Sequence, residues 1–392
     1  MKIAMIGQKG IPAIYGGVER HVEELAKEMS KSGHEILVYA RKWYTPKNIK
    51  RVGNIKIIHT LGINTKNLDA ISHTFTATIH AIMQKPDIIH YHAVGPSLLA
   101  WIPRVFAPKI KVIITSHCLD RHHQKWGMFA RIMLRLGEYT AAKFAHKTIT
   151  VSKTLKNYYL NEYKANTTYI PNGIKKVNKN IDSNIIEDKW NLKKDKYVLM
   201  VSRLVRHKGA HYLIDAWQFA KTQYPQLLEG YKLVITGGSA HTDSYTKELK
   251  QMARGDKSIV FTNWQKGKTL EQLFSNATLV IHPSENEGLP IAVLEAMSYG
   301  KAVLVSDIPE HKEIITDNKY WFSNASISSL ADKIIELFQD KKQFAQVGKD
   351  NQTKVEENFN WQDITKKTLQ VYANRTETSA EKKCYFESPQ EA

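Results

Sequence analysis

The sequence predicts an α/β protein of two doubly wound parallel-sheet domains that face a shared crevice, and three observations carry this. A length of 392 residues is about twice what one α/β domain usually holds. Short Val/Ile-rich runs without polar alternation recur along the chain, separated by amphipathic stretches, which is the pattern of βαβ units whose strands are buried on both faces. A polar, lysine-rich and strand-free stretch near the middle divides these runs into two sets.

In order along the chain, strands are expected at residues 2–6, 35–40, 55–60, 88–92, 112–116, 148–151 and 168–170, then at 197–202, 232–236, 258–261, 279–282 and 302–305. Helices are expected between them, including 18–32, 128–146, 211–222 and 291–299. The predicted organisation is a first domain over 1–175, a linker over 176–195 and a second domain over 196–357. A last helix within 358–374 is expected to pack back towards the first domain, ahead of a polar tail over 375–392. Open sheets of this kind bind ligands beyond the carboxyl ends of their strands, so the crevice is where function is sought.

Composition narrows the classes. With 42% hydrophobic and 24% charged residues the chain is globular, neither disordered nor collagen-like. Cys118 and Cys384 are far apart and lack metal-type spacing, which predicts a reducing compartment and no zinc ribbon. No stretch approaches the roughly 18–20 apolar residues of a membrane span, and no signal-peptide pattern follows Met1, so a cytoplasmic chain is expected. The formal net charge is +18, and all of it lies in residues 1–180, where 28 Lys and Arg face 10 Asp and Glu; residues 181–392 balance at 28 against 28. One domain is therefore expected to meet something anionic: nucleic acid, a membrane surface or a phosphorylated substrate.

Three segments carry the chemistry. The loop Gly7 to Gly17 joins the first strand to a helix near Val18 and contains Gly16 and Gly17, where backbone N–H groups can approach an anion at a helix start. Its spacing is neither G-x-G-x-x-G nor a P-loop, which disfavours a nicotinamide cofactor. At the end of the second domain's first strand, Arg203 and Lys208 can converge on one anion across a turn; a two-pronged guanidinium and a point-charge ammonium suit a diphosphate. Beyond the strand ending at His282 comes Glu287-Gly288-Leu289-Pro290, then an apolar helix in which Glu295 stands among Ala, Val, Leu and Met. A carboxylate there costs free energy unless paired or liganded, and carboxylates accept hydrogen bonds from vicinal diols.

With these residues in view, the chain resembles the retaining GT-B glycosyltransferases of glycosyltransferase family 4, over roughly residues 1–372. Their E-x7-E signature matches Glu287 and Glu295. Further matches are Gly16-Gly17, His117 after a strand, Pro171-Asn172-Gly173, Arg203 with Lys208, and Gly237-Gly238. The resemblance implies two Rossmann-like domains, acceptor on the first and nucleotide-sugar donor on the second. It implies that Arg203 and Lys208 hold the donor diphosphate, Glu295 the ribose and Glu287 the transferred sugar, with His117 near that sugar and Gly17, Gly288 and Leu289 around the donor. The opening loop, Leu119-Asp120-Arg121 and Lys125-Trp126-Gly127 are similar to a bacterial polysaccharide subgroup that includes rhamnosyltransferases. Two departures stand out: Asn263 where many relatives have glycine, and His122-His123-Gln124 within the subgroup's basic-aromatic run.

No Asp-x-Asp occurs, so no carboxylate pair is evident for a divalent metal on the diphosphate, and transfer without metal or other cofactor is expected. The excess charge has its own candidate. Arg121, Lys125 and Trp126 precede a helix where Phe129, Ile132, Met133, Leu136 and Phe144 share an apolar face while Arg131 and Arg135 project from another. This reads either as an acceptor and membrane surface, on the inner face of the cytoplasmic membrane, or as an ordinary core-facing helix with a solvated rim. The expected partners are a nucleotide sugar, a glycan or lipid-linked oligosaccharide and an anionic membrane, not nucleic acid. Two rivals remain: a nucleotide-sugar epimerase on the same fold, and a polyanion-binding protein, the latter disfavoured by the neutral second half with its Glu and Arg/Lys pairs.

Overall fold

The structure is a computed structural model that describes residues 1–65, 68–119, 127–177, 181–239 and 242–373. The first domain has strands β1 (Lys2–Ile6), β2 (Glu35–Ala40), β3 (Arg51–Val52), β4 (Ile55–His59), β5 (Ile88–His92), β6 (Lys111–Ser116), β7 (Lys147–Thr150) and β8 (Thr168–Tyr169). Its helices are α1 (Gly17–Lys31), α2 (Asp69–Met83), α3 (Val94–Ser97), α4 (Trp101–Phe106), α5 (Met128–Lys143) and α6 (Lys153–Tyr163). The strands form one sheet in the order β3-β4-β2-β1-β5-β6-β7-β8, parallel except at β3. The sheet's two faces have separate cores. On one, Val22, Leu25, Ala26 and Met29 of α1, spaced at helical period, pack on Ile3, Met5 and Val38. On the other, Ala77 and Ala81 of α2, Ala141 of α5 and Tyr159 of α6 cover Ala4, Ile6 and Tyr91.

The second domain begins with α7 (Asn184–Trp190), which lies inside the stretch expected as a linker: Ile186 is buried in this domain's core, and the backbone N–H of Ile185 donates to Gln272 Oε1 at 3.0 Å. Its sheet runs β11 (Ile259–Asn263), β10 (Lys232–Thr236), β9 (Tyr197–Val201), β12 (Leu279–His282), β13 (Val303–Ser306) and β14 (Trp321–Phe322), all parallel. Helices α8 (Ala210–Gln223), α9 (Asp243–Met252), α10 (Gly267–Ser275), α11 (Ile291–Ser298), α12 (Pro309–Lys312), α13 (Ile327–Gln339) and α14 (Phe344–Asn358) complete it. The amphipathic α13 buries Leu330, Ile334, Leu337 and Phe338, one stripe of a helix.

The chain then crosses back. Helix α15 (Trp361–Ala373) lies on the first domain, where Trp361, Ile364, Val371 and Tyr372 join the core under α1 and the Tyr372 hydroxyl meets His90 Nδ1 at 2.6 Å. The two connections between domains touch, Ile174 N–H donating to Phe359 O at 2.7 Å. A carboxylate of the second domain, Glu313, accepts from the Lys153 and Thr154 backbone N–H groups at the start of α6, at 2.8 and 2.6 Å, so it caps a helix of the first domain and fixes the angle between the two.

In each sheet the strand order reverses beside the first strand, between β1 and β5 and between β9 and β12. The loops that follow these strands meet in the cleft, and every segment singled out for chemistry lies on one of them. Helix α5 differs from the core-facing alternative. Its inner side is Gly137, Glu138, Thr140 and Ala141, with Gly137 against Val94 O of α3, while Phe129 (75% exposed), Ile132 and Leu136 face outward. No helix among the described residues is long and apolar enough to cross a membrane.

Candidate active site

Between the carboxyl ends of the two sheets lies a cavity of about 680 Å³. Gly16, Gly17, His117, Arg203, Lys208, Glu287, Gly288, Leu289 and Glu295 all line it, so the nine residues singled out for donor and catalysis come together from loops of both domains. Arg131 and Arg135 are on the outward side of α5, away from this lining. Arg121, Lys125 and Trp126 lie outside the described residues.

Gly16 caps α1 with φ 105°, a left-handed conformation that favours glycine. Gly17 then sits over the start of α11, where a Cβ would come within 3.6 Å of Ile291 Cδ1. The first loop thus comes close to the start of α11, whose opening backbone N–H groups have no partner within the helix and attract an anion. Gly288 fits more tightly. A Cβ there would be 1.5 Å from the carbonyl oxygen of His117, so the two domains touch backbone to backbone at this point.

The charges in the cavity are largely paired. Lys208 Nζ donates to Glu287 Oε1, and His282 Nε2 lies 2.7 Å from the same oxygen and 3.1 Å from Ser284 Oγ. Burial alone would raise the Glu287 carboxyl; the Lys208 charge and the His282 hydrogen bond outweigh it and hold it well below the usual range. Glu295 is paired across the cleft with Arg20 of α1, at 2.5 Å, yet burial dominates and pushes its carboxyl up despite Arg20 and Lys175. Lys27 is tied to Glu23 at 2.5 Å. Arg203 alone among the half-buried cations lining the cavity has no carboxylate or hydrogen-bond partner for its guanidinium among the described residues, and it faces Lys9 as a like charge. It is therefore the group readiest to receive an anion.

Beneath His117 lies a cluster of imidazoles. His92 Nδ1 is 3.3 Å from His117 Nε2, His21 packs edge-on against His117 with ring centroids 4.7 Å apart, and all three rings are buried. Burial holds them uncharged: His21 falls to about 4, and His92 and His117 lie well below the usual range. His21 Nδ1 meets Asn172 Oδ1 at 3.0 Å, while Asn172 Nδ2 donates to Leu289 O at 2.8 Å, so one side chain ties the first domain's helix to the second domain's loop. Among the described residues, the groups able to hold a metal ion are His21, His92 and His117, or His282, Glu287 and His311; the second already has the Lys208 ammonium on its carboxylate, which opposes a cation. At the outer end of the cleft Tyr15 and Trp264 stack across it, centroids 5.6 Å apart.

Several of these residues escaped the sequence reading: Arg20 and His282 as carboxylate partners, Asn172 as a tie between domains, Trp264 at the rim. Arg20 had a local signal, an arginine one turn into a helix behind Gly-Gly. Asn263 is explained: its φ is +56°, the left-handed conformation that glycine supplies elsewhere and that asparagine tolerates, so the exchange preserves the turn.

Residues 15–176 match the family model described as Glycosyltransferase Family 4, and residues 182–354 match that described as Glycosyl transferases group 1. An uncharacterised glycosyltransferase of Methanocaldococcus jannaschii is 28% identical, covering 95% of this chain and 98% of the relative. An O-antigen chain mannosyltransferase of Salmonella typhimurium is 29% identical over a shorter region, 56% of this chain and 62% of the relative. Among solved structures, that of Anabaena HepE with UDP and glucose superimposes with a TM-score of 0.77 at 19% identity, covering 95% of this chain and 99% of that one. The fold is GT-B.

Proposed function

We propose that this chain, a GT-B glycosyltransferase, moves a hexosyl or deoxyhexosyl unit from a nucleoside-diphosphate sugar to a lipid-linked glycan acceptor in bacterial surface polysaccharide synthesis, with retention at the anomeric carbon. The convergence of Arg203, Lys208, Glu287, Glu295, Gly17 and His117 on one cavity carries this reading. A complex of HepE with UDP and glucose, and a relative that is an O-antigen mannosyltransferase, support the donor and acceptor classes. Retention and the likeness to rhamnosyltransferases rest on the sequence resemblance.

In this reading the diphosphate meets Arg203 first, because that guanidinium has no pair to break. Lys208 then exchanges Glu287 for phosphate, and the freed carboxylate accepts from sugar hydroxyls. Glu295 exchanges Arg20 for the ribose diol. As the bond from the sugar to the diphosphate breaks, the growing negative charge falls between Arg203, Lys208 and the N-terminus of α11, in a site that the two domains shield from water. These groups take the place of a divalent metal. His117, uncharged, offers the transferred sugar a hydrogen bond without adding charge next to a developing cation at its anomeric carbon.

The acceptor enters from the first domain. Its outer helices expose Phe75, Ile79 and Met83 on α2, Trp101, Val105 and Phe106 on α4, and Phe129, Ile132 and Leu136 on α5, with Arg104, Arg131 and Arg135 among them. An apolar layer with a basic rim fits an anionic membrane surface that carries a lipid-linked acceptor. The test is a panel of UDP-, GDP- and dTDP-sugars, read by binding and by turnover with and without lipid-linked glycan, in EDTA. Turnover in EDTA that requires acceptor is expected, and Arg203→Ala should weaken donor binding by at least about tenfold, one charge-assisted pair. Consumption of donor to an altered free sugar without acceptor would instead identify an epimerase, and a need for magnesium would refute the metal-free site.

A further inference from the structure

We propose that His21, His92 and His117 form a binding site for a transition-metal ion of the zinc class, under the floor of the cleft and separate from the donor diphosphate. The three residues come from α1, β5 and the loop after β6, and one ring nitrogen of each lies within 4.8 Å of the others. Tetrahedral zinc with Zn–N bonds of about 2.0–2.1 Å sets its ligand nitrogens about 3.4 Å apart. The separation of His92 Nδ1 from His117 Nε2, 3.3 Å, already matches this. The third nitrogen, at most 4.8 Å away, has to approach by no more than about 1.4 Å, the difference of those two distances.

The surroundings prepare these rings as ligands. Asn172 spends its amide on Leu289 O, so its carbonyl oxygen takes the proton of His21 Nδ1 and leaves the lone pair on Nε2, the second-shell device that orients metal-binding histidines. His92 faces His117 through Nδ1, so for this ring to ligate there its proton falls on the buried Nε2. The neighbouring His90 is no ligand, since Tyr372 and Thr115 engage both its nitrogens at 2.6 and 2.7 Å. A set made only of imidazoles, with no carboxylate, selects zinc-like ions over magnesium or calcium. One consequence rests on the function proposed above: a metal held by His117 withdraws that ring from the donor sugar, so occupancy inhibits transfer.

The tag-free full-length protein, stripped with chelator, is titrated with Zn²⁺ by calorimetry and with Co²⁺ by visible absorption, alongside His21→Ala and His92→Gln. One ion per chain, tetrahedral-type cobalt bands and at least tenfold weaker binding in both variants are expected. Asn172→Ala, which keeps all three ligands, should weaken binding by about tenfold through the lost orientation, and it serves as the probe if a histidine variant fails to fold. Zinc affinity unchanged in His21→Ala and His92→Gln, or binding of Mg²⁺ as tight as Zn²⁺, overturns the site. Zinc that binds as expected yet leaves transfer untouched supports the site and refutes the place of His117 at the sugar.

Discussion

Replacing Gly288 by alanine separates the closing of the cleft from the binding of the donor. The added Cβ would stand 1.5 Å from His117 O, 2.6 Å from its carbonyl carbon and 3.3 Å from Cys118 Cα. Ordinary contact begins at 3.4 Å, so the loop after β12 and the loop after β6 must part by about 1.9 Å, the difference between 3.4 and 1.5 Å. The obstacle is main chain on both sides, so no rotamer relieves it. Because one loop belongs to each domain, parting them moves His117 and Gly17 away from a sugar bound to the second domain and breaks the 2.8 Å bond from Asn172 to Leu289 O. A misplacement of 1 Å can cost roughly 100-fold in rate, so kcat/KM should fall by at least about 100-fold. Arg203, Lys208 and Glu295 all stand on the second domain, so the nucleoside diphosphate should still bind within a few-fold of wild type by calorimetry. Each domain's core is untouched and melting should shift little. Transfer within about threefold of wild type would show that the 117–288 contact is not part of the working geometry, and with it the closed-cleft argument would fail.

Other substitutions test the charge pairs and the outer face. Glu287→Gln leaves the buried Lys208 without its counter-charge and should lower stability near neutral pH by about 3 kcal/mol in urea unfolding. Because the folded carboxyl sits well below its unfolded value of about 4.3, that contribution is present above about pH 4.3 and is lost as pH falls through the folded value; the wild-type and variant curves should converge in acid, and parallel curves would refute the pairing. Arg20→Ala removes a charge that opposes the burial-driven rise of the Glu295 carboxyl, so the variant should lose nucleotide affinity at a higher pH than wild type as pH is lowered; identical profiles would mean that Glu295 does not meet the ribose. Neutralising Arg131 and Arg135 together should weaken binding to anionic vesicles by about 2 kcal/mol, near 30-fold, with nucleotide affinity unchanged; unchanged sedimentation would remove α5 from the membrane surface.

The fold was legible where its signal is local. Apolar runs such as 88–92 and 279–282 needed only to be buried on both faces, and the observed strands agree within a residue or two. The two-residue β3 and β14 carry no pattern, and α7 hides in a lysine-rich stretch because one buried face, centred on Ile186, suffices to dock it. The site divides in the same way. Arg203, Lys208 and the two glutamates follow from strand ends and spacing. Their partners do not: Arg20 meets Glu295, Asn172 meets Leu289, and Glu313 caps α6 only because two domains are held at one angle, and nothing near any of these residues in sequence encodes that angle.

The charge excess can now be placed more narrowly. In the cleft most charges cancel, with Lys208 against Glu287, Arg20 against Glu295 and Lys27 against Glu23, so a donor needs only Arg203 and the pairs it displaces. Some of the first half's surplus of 18 positive charges lies instead on the outer helices, as Arg104 on α4 and Arg131 and Arg135 on α5, on the side opposite α1 and α15. That is also the side where α2, α4 and α5 turn their large apolar residues to solvent, and a polyanion such as nucleic acid gains nothing from that apolar layer. Charge and apolar surface together support the proposed docking on a bilayer with anionic headgroups. Because α5 follows the loop that carries His117, a membrane on this face would bring a lipid-linked acceptor to the same end of the first domain that closes on the donor.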